Sequence, residues 1–77
     1  MTQTLVDRLV ARAMTLAIDT FDDGAAMAEL RSLAEGDNHA LERAIPVCLA
    51  QPASLAIRHL AIELLARVRY EDPAPPA

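Results

Sequence analysis

The chain has 77 residues and a formal net charge of −4, with seven basic residues against eleven acidic ones. A sequence of this length forms one domain at most, and it buries only about 60% of the surface that its unfolded form exposes. Its negative charge argues against a protein whose main task is to neutralise nucleic-acid phosphates.

Other broad classes are also disfavoured. No run approaches the roughly twenty apolar residues of a membrane-spanning helix. The N-terminal residues lack the basic stretch and continuous apolar core of a secretory signal peptide. A single cysteine, Cys48, fits a reducing compartment. We therefore expect a soluble, acidic, cytoplasmic protein.

The apolar residues predict a small core. They are skewed towards alanine, and Phe21 and Tyr70 are the only aromatic residues, so few side chains bring a large buried area. One cysteine cannot form an internal disulfide. Oligomerisation is then the remaining common way for a chain this short to stabilise its fold.

The first helix is predicted from Thr4, which forms a capping box with Asp7, to about Asp19. Its apolar residues recur with helical spacing and fall on one face, while charged residues occupy the other. The apolar face comprises Leu5, Val6, Leu9, Val10, Ala13, Leu16 and Ala17. This is the pattern of an ordinary amphipathic helix.

The segment from Thr20 to Gly24 indicates a turn, and either Asp22 or Asp23 is suited to cap the helix that follows. The second helix is predicted to run to about Glu35. Its apolar face comprises Met27, Leu30, Leu33 and Ala34. Gly36 suits the left-handed residue that ends a helix.

The third helix is predicted to begin at Asp37 and Asn38 and to close at Gln51 and Pro52. Its apolar face comprises Leu41, Ala44, Ile45, Cys48 and Leu49. Pro46 falls inside it, and an interior proline removes one backbone hydrogen bond and crowds the preceding turn. We therefore expect a kink near Pro46, or two short helices.

The last helix is predicted from a cap at Ser54 to about Tyr70, and its apolar residues do not fit on one face. The main stripe comprises Ile57, Leu60, Ala61, Leu64, Leu65 and Val68. A second strip, flanked by Arg58 and Arg69, comprises Leu55, Ile62 and Ala66. A helix packed on one side needs only the first stripe. The last helix is then either central in its own chain or shared with another chain, and we favour sharing because the chain is so short.

These elements predict an all-α fold, because no segment has the pattern of a strand. Four helices with short connections form an up-and-down four-helix bundle or two stacked helical hairpins. Residues 1–70 make a single helical domain. Residues 71–77 are rich in proline and alanine and have nothing to bury, so we expect a disordered tail.

Two groups of residues have types that occur in metal or catalytic sites. His39 with Glu42, and His59 with Glu63, have the spacing of metal ligands on facing helices, but each pair suits a solvated face equally well. Cys48 lies on an apolar face, where cysteine behaves as a small hydrophobic residue. We expect no catalytic constellation, no metal and no cofactor.

Residues 37–70 resemble a HEAT-type helical repeat. The resemblance is carried by a helix containing ALERAIPVCLA, a short QPAS turn and a second helix in which an arginine precedes AIELLARV. In that family the first helix often carries a proline kink, like Pro46, and the second an arginine near its start, like Arg58. The resemblance implies a protein-binding scaffold.

The sequence therefore favours a small non-catalytic interaction or adaptor module that acts as a homodimer or binds another protein. The predicted partner-binding residues are Leu55, Arg58, Ile62, Ala66 and Arg69. The alternative is a regulator of nucleic-acid transactions, either a transcriptional regulator or an antitoxin-like protein that controls a DNA-binding partner.

Overall fold

The computed structural model describes residues 3–19 and 22–70. Over these residues the chain forms four α-helices and no strand. The helices are α1 (Leu5–Asp19), α2 (Asp23–Ala34), α3 (Asn38–Leu49) and α4 (Leu55–Tyr70). The prediction of an all-α four-helix bundle is confirmed. The predicted tail, residues 71–77, lies outside the described residues, as do residues 20 and 21 of the predicted turn.

The predicted capping residues stand at the start of every helix. At α1 the Thr4 hydroxyl accepts from the backbone N–H of Asp7 at 3.1 Å, and the Thr4 N–H donates to the Asp7 carboxylate at 3.3 Å. The side chains of Asp22, Asp37 and Ser54 each accept from the backbone N–H three residues further on, at 3.0 to 3.2 Å. Backbone donors that a helix leaves unpaired at its first turn are thereby satisfied.

The helix ends differ more from expectation. Gly36 has the predicted positive φ, +83°, but Glu35 before it is also left-handed, at φ +51°. Two successive left-handed residues turn the chain sharply just before Asp37, which caps α3.

The third helix is continuous through Pro46, so the alternative of two short helices does not occur.

The core is built from all four helices but contains many small side chains. Each helix contributes at least one leucine that is completely or almost completely buried: Leu9, Leu30, Leu41, and both Leu64 and Leu65. Seven of the sixteen buried residues are alanines: Ala13, Ala17, Ala26, Ala34, Ala40, Ala44 and Ala61. Alanine brings helices close together but removes little apolar area from water, so the core is closely packed yet small.

The central element is α4, which contacts α1, α2 and α3, whereas α2 and α3 barely touch each other. Its buried residues are Ala61, Leu64, Leu65 and Val68, all from the predicted main stripe. The prediction for Leu49 is wrong: it was placed on the apolar face of α3, yet 49% of its surface is exposed. Leu49 is the last residue of α3, where the chain turns away from the core.

Candidate interaction surface

The predicted partner-binding strip is only partly available, because the chain itself covers some of it. Leu55 is 55% exposed. Ile62 is half-buried and packs against the core, and Ala66 is also half-buried. The last helix is thus central in its own chain and still presents apolar side chains outward.

Arg69 is held by its own chain. Its Nη2 lies 2.7 Å from Glu42 Oε1 in α3, and its Nε donates to the same oxygen at 3.0 Å. The guanidinium also lies over the Tyr70 ring, 4.9 Å from the centroid. Arg69 therefore fastens the end of α4 to the start of α3, and its charge is neutralised there.

Arg58 makes a different contact. Its Nη1 donates to the carbonyl oxygen of Leu49 at 2.7 Å, while its buried Nε has no hydrogen-bond partner. A cation is favourable beside the carbonyls at a helix C-terminus. No carboxylate in the described part of the chain pairs with Arg58. Its positive charge is stabilised by the C-terminal end of α3, through the Leu49 carbonyl.

The turn between α3 and α4 lies in the longest charge-free run of the sequence. No charged residue occurs between Arg43 and Arg58. Among the described residues five large hydrophobic side chains are exposed, and three of them, Val47, Leu49 and Leu55, lie in this segment. We call residues 46–56 the α3–α4 corner.

The remaining exposed residues of the α3–α4 corner are apolar or small: Pro46, Ala50, Pro52, Ser54 and Ala56. Leu55 also belongs to the second apolar strip of α4 (Leu55, Ile62 and Ala66), which we call the outer strip. Sequence reasoning identified the strip but missed Val47 and Leu49. The signal that would have found them is the charge-free run in a chain in which 23% of residues are charged.

Two further arginines pair with carboxylates on another helix. Arg12 in α1 forms an ion pair with Glu29 in α2, and its Nη2 lies 3.0 Å from Glu29 Oε1. The hydrogen bond from Arg12 lowers the pKa of the Glu29 carboxyl. Near the end of α4, Arg67 Nη1 lies 3.5 Å from Asp23 Oδ2 in α2. Both ion pairs join α2 to another helix.

The candidate metal ligands do not come together in one place. His39 is 94% exposed, and its Nδ1 lies 3.9 Å from Glu42 Oε2. Within residues 3–19 and 22–70, no three histidine, cysteine, aspartate or glutamate side chains come together in a group that could hold a metal ion. The two predicted pairs are therefore not assembled into one site.

Cys48 lies in the core with no exposed surface. Burial raises the pKa of its thiol to about 11. Because the thiolate is the reactive form of cysteine, a raised pKa makes the side chain inert at neutral pH. Cys48 packs as a hydrophobic residue.

Two grooves lie on the described surface. One, about 360 Å³, runs between α1 and α2 and is lined by Gln3, Arg8, Ala11, Arg12, Thr15, Glu29 and Leu33. Another, of about 230 Å³, lies where the starts of α1 and α3 meet. The Arg12–Glu29 ion pair forms part of the wall of the first groove.

Comparisons with known proteins place the chain in no family. No protein-family model matches the sequence, and no curated protein or solved structure matches it significantly. The HEAT-type resemblance of residues 37–70 stays a prediction. None of the four described helices is long and apolar enough to cross a lipid bilayer.

Proposed function

We propose that this protein is a small non-catalytic helical module that acts by binding protein, and that it works as a homodimer. The observation that carries the proposal is the α3–α4 corner, a charge-free segment in which Val47, Leu49 and Leu55 are exposed. Concentrations of exposed apolar side chains mark sites of protein interaction.

Electrostatics favour this surface as the place where two copies meet. Each chain carries a net charge of −4, so two copies repel one another wherever acidic side chains approach. The α3–α4 corner has no charged side chain, so like-charged copies can pack there without that cost. A two-fold dimer uses the same surface patch on both subunits. Two copies of a charge-free patch do not repel each other when they meet.

The size of the core gives a second reason. Seven of sixteen buried residues are alanines, so folding removes less apolar area from water than a leucine-rich core would. Burying Val47, Leu49 and Leu55 against a second copy adds about 1 to 3 kcal/mol for each fully covered side chain. This is the stabilisation that a chain of this size commonly obtains by oligomerisation.

The experiment is light scattering coupled to gel filtration at micromolar concentration. Leu55→Glu places a charge in the proposed contact, and we expect it to convert a dimer to a monomer with unchanged helix content. Ile18→Glu is the matched control, because Ile18 is 62% exposed but lies on α1 outside the corner. A wild-type monomer, or equal effects of the two substitutions, would overturn the proposal.

A further inference from the structure

The outer strip of α4 (Leu55, Ile62 and Ala66), extended by the polar residues His59 and Arg69, has the spacing of a coiled-coil seam. Leu55, His59, Ile62, Ala66 and Arg69 are separated by four, three, four and three residues. Residues that alternate in this way occupy the a and d positions of a heptad, through which two helices pack side by side. His59 is fully on the exposed face, between Leu55 and Ile62.

Two opposite charges flank this seam. Arg58 lies on one edge and Glu63 on the other, five residues further along α4. These are successive g and e positions of the same heptad frame, and in a parallel pair of helices the g position of one chain faces the following e position of the other. Neither side chain has an ion-pair partner among the described residues, in contrast to Arg12, Arg67 and Arg69.

We propose that two copies of this chain pack α4 against α4 in parallel, with Arg58 of each copy facing Glu63 of the partner subunit. This inference rests on the proposed homodimer and specifies its arrangement. The two-fold axis then runs along α4. Two like-charged chains acquire two attractive ion pairs at the edges of their contact.

The alternative antiparallel packing is disfavoured by the same residues. Reversing one helix about a two-fold axis brings like edges together, so the edge that carries Arg58 faces the same edge of the partner subunit and Arg58 has no Glu63 opposite it. It also places the uncharged corner of one copy beside the polar end of the other helix. In the parallel arrangement both corners meet at the same end, and Leu49 and Val47 extend the apolar contact.

Arg69 does not oppose the parallel arrangement. The parallel seam brings the two copies of this residue near each other at its far end. Each guanidinium is already bound to Glu42 of its own chain at 2.7 Å, so the repulsion between the copies is reduced. Arg58 keeps its Nη1 on the Leu49 carbonyl and offers its other terminal nitrogen to the partner.

Cysteine cross-linking decides the direction directly. His59→Cys and Ala66→Cys are prepared separately and oxidised. In the parallel pair each position lies opposite itself, within the 4 to 7 Å between Cα atoms that a disulfide spans, so each variant cross-links alone. In an antiparallel pair the a positions, here 59 and 66, face d positions of the partner helix, so neither variant cross-links alone. The native Cys48 is buried and does not compete.

Charge exchange tests the ion pairs. Arg58→Glu or Glu63→Arg alone is expected to raise the dimer dissociation constant about tenfold. The double variant Arg58→Glu/Glu63→Arg restores the pairing in reversed sense and is expected to dimerise more tightly than Arg58→Glu alone, a comparison in which both variants lack the Arg58–Leu49 hydrogen bond. Circular dichroism of each variant checks that the fold is intact.

The outcomes separate this inference from the proposed function. A dimer in which neither cysteine variant cross-links, or whose double variant is as weak as the sum of the singles, keeps the homodimer and overturns the parallel arrangement. A wild-type chain that scatters as a monomer overturns both.

Discussion

Arg58 in α4 donates a hydrogen bond of 2.7 Å to the carbonyl oxygen of Leu49, the last residue of α3. This contact joins the two ends of the α3–α4 corner. It ties the start of one helix to the end of another, across a turn of only five residues. The shape of the proposed interaction surface therefore depends on this hydrogen bond as well as on its apolar side chains.

Replacement of Arg58 by methionine keeps the aliphatic stem and removes the hydrogen bond. We expect a loss of about 1 kcal/mol in the free energy of unfolding, because a hydrogen bond from a charged group to a helix end is lost. Urea unfolding in a Leu55→Glu background measures this without a contribution from dimerisation. If Leu55→Glu and the double variant Leu55→Glu/Arg58→Met unfold at the same urea concentration, the Arg58–Leu49 hydrogen bond does not stabilise the fold.

The cap of α3 gives a second prediction. Asp37 Oδ1 accepts from the Ala40 backbone N–H at 3.0 Å, in a partly buried position. Asp37→Ala is expected to lower the free energy of unfolding by about 1 kcal/mol. Ser32→Ala on the exposed face of α2 is the control and should be neutral or slightly stabilising, since alanine is the better helix former. Equal effects of the two substitutions would contradict the cap.

Pro46 gives a prediction of opposite sign. It lies on the exposed face inside the continuous helix α3 and cannot donate a hydrogen bond to the carbonyl of Glu42. Pro46→Ala restores that donor, and we expect the free energy of unfolding to rise by about 1 kcal/mol or more. Thermal unfolding followed by circular dichroism is the measurement. A lower melting temperature would show that α3 is adapted to its proline.

Cys48 predicts a dependence on pH. Burial raises the pKa of its thiol from 9.0 to about 11, so the folded state retains the proton that the unfolded chain releases. The corresponding stability is fully present below pH 9 and is lost as the pH rises through 11. Wild type should therefore lose stability in this range, and Cys48→Ala should lose less.

The same burial predicts slow chemical modification. At pH 8 a thiol-specific reagent should modify native Cys48 at least about a hundredfold more slowly than the urea-unfolded chain, since both the thiolate fraction and the access fall. Modification at the rate of the unfolded chain would place Cys48 outside the core.

Much of the fold could be predicted from short-range sequence patterns. Thr4, Asp22, Asp37 and Ser54 identified the helix starts, because a capping side chain satisfies backbone donors within its own first turn. The apolar periodicity of α1 and α4 likewise gave their buried faces. Glu35 was missed, since nothing in a glutamate predicts a left-handed backbone.

The packing of the helices against one another could not be predicted from such patterns. Periodicity showed that α4 has a second apolar strip, but not that Ile62 in that strip packs on its own core while Leu55 stays exposed. Leu49 has the helical phase of a buried residue and is exposed because α3 ends there. Which neighbours surround a helix depends on how all four helices cross, and no local pattern contains that information.

The most direct test of the account is the mass of the native chain in solution. Light scattering at micromolar concentration should give twice the 8.3 kDa of one chain, falling to one chain for Leu55→Glu and remaining unchanged for Ile18→Glu. A wild-type mass of a single chain across the micromolar range would contradict the homodimer.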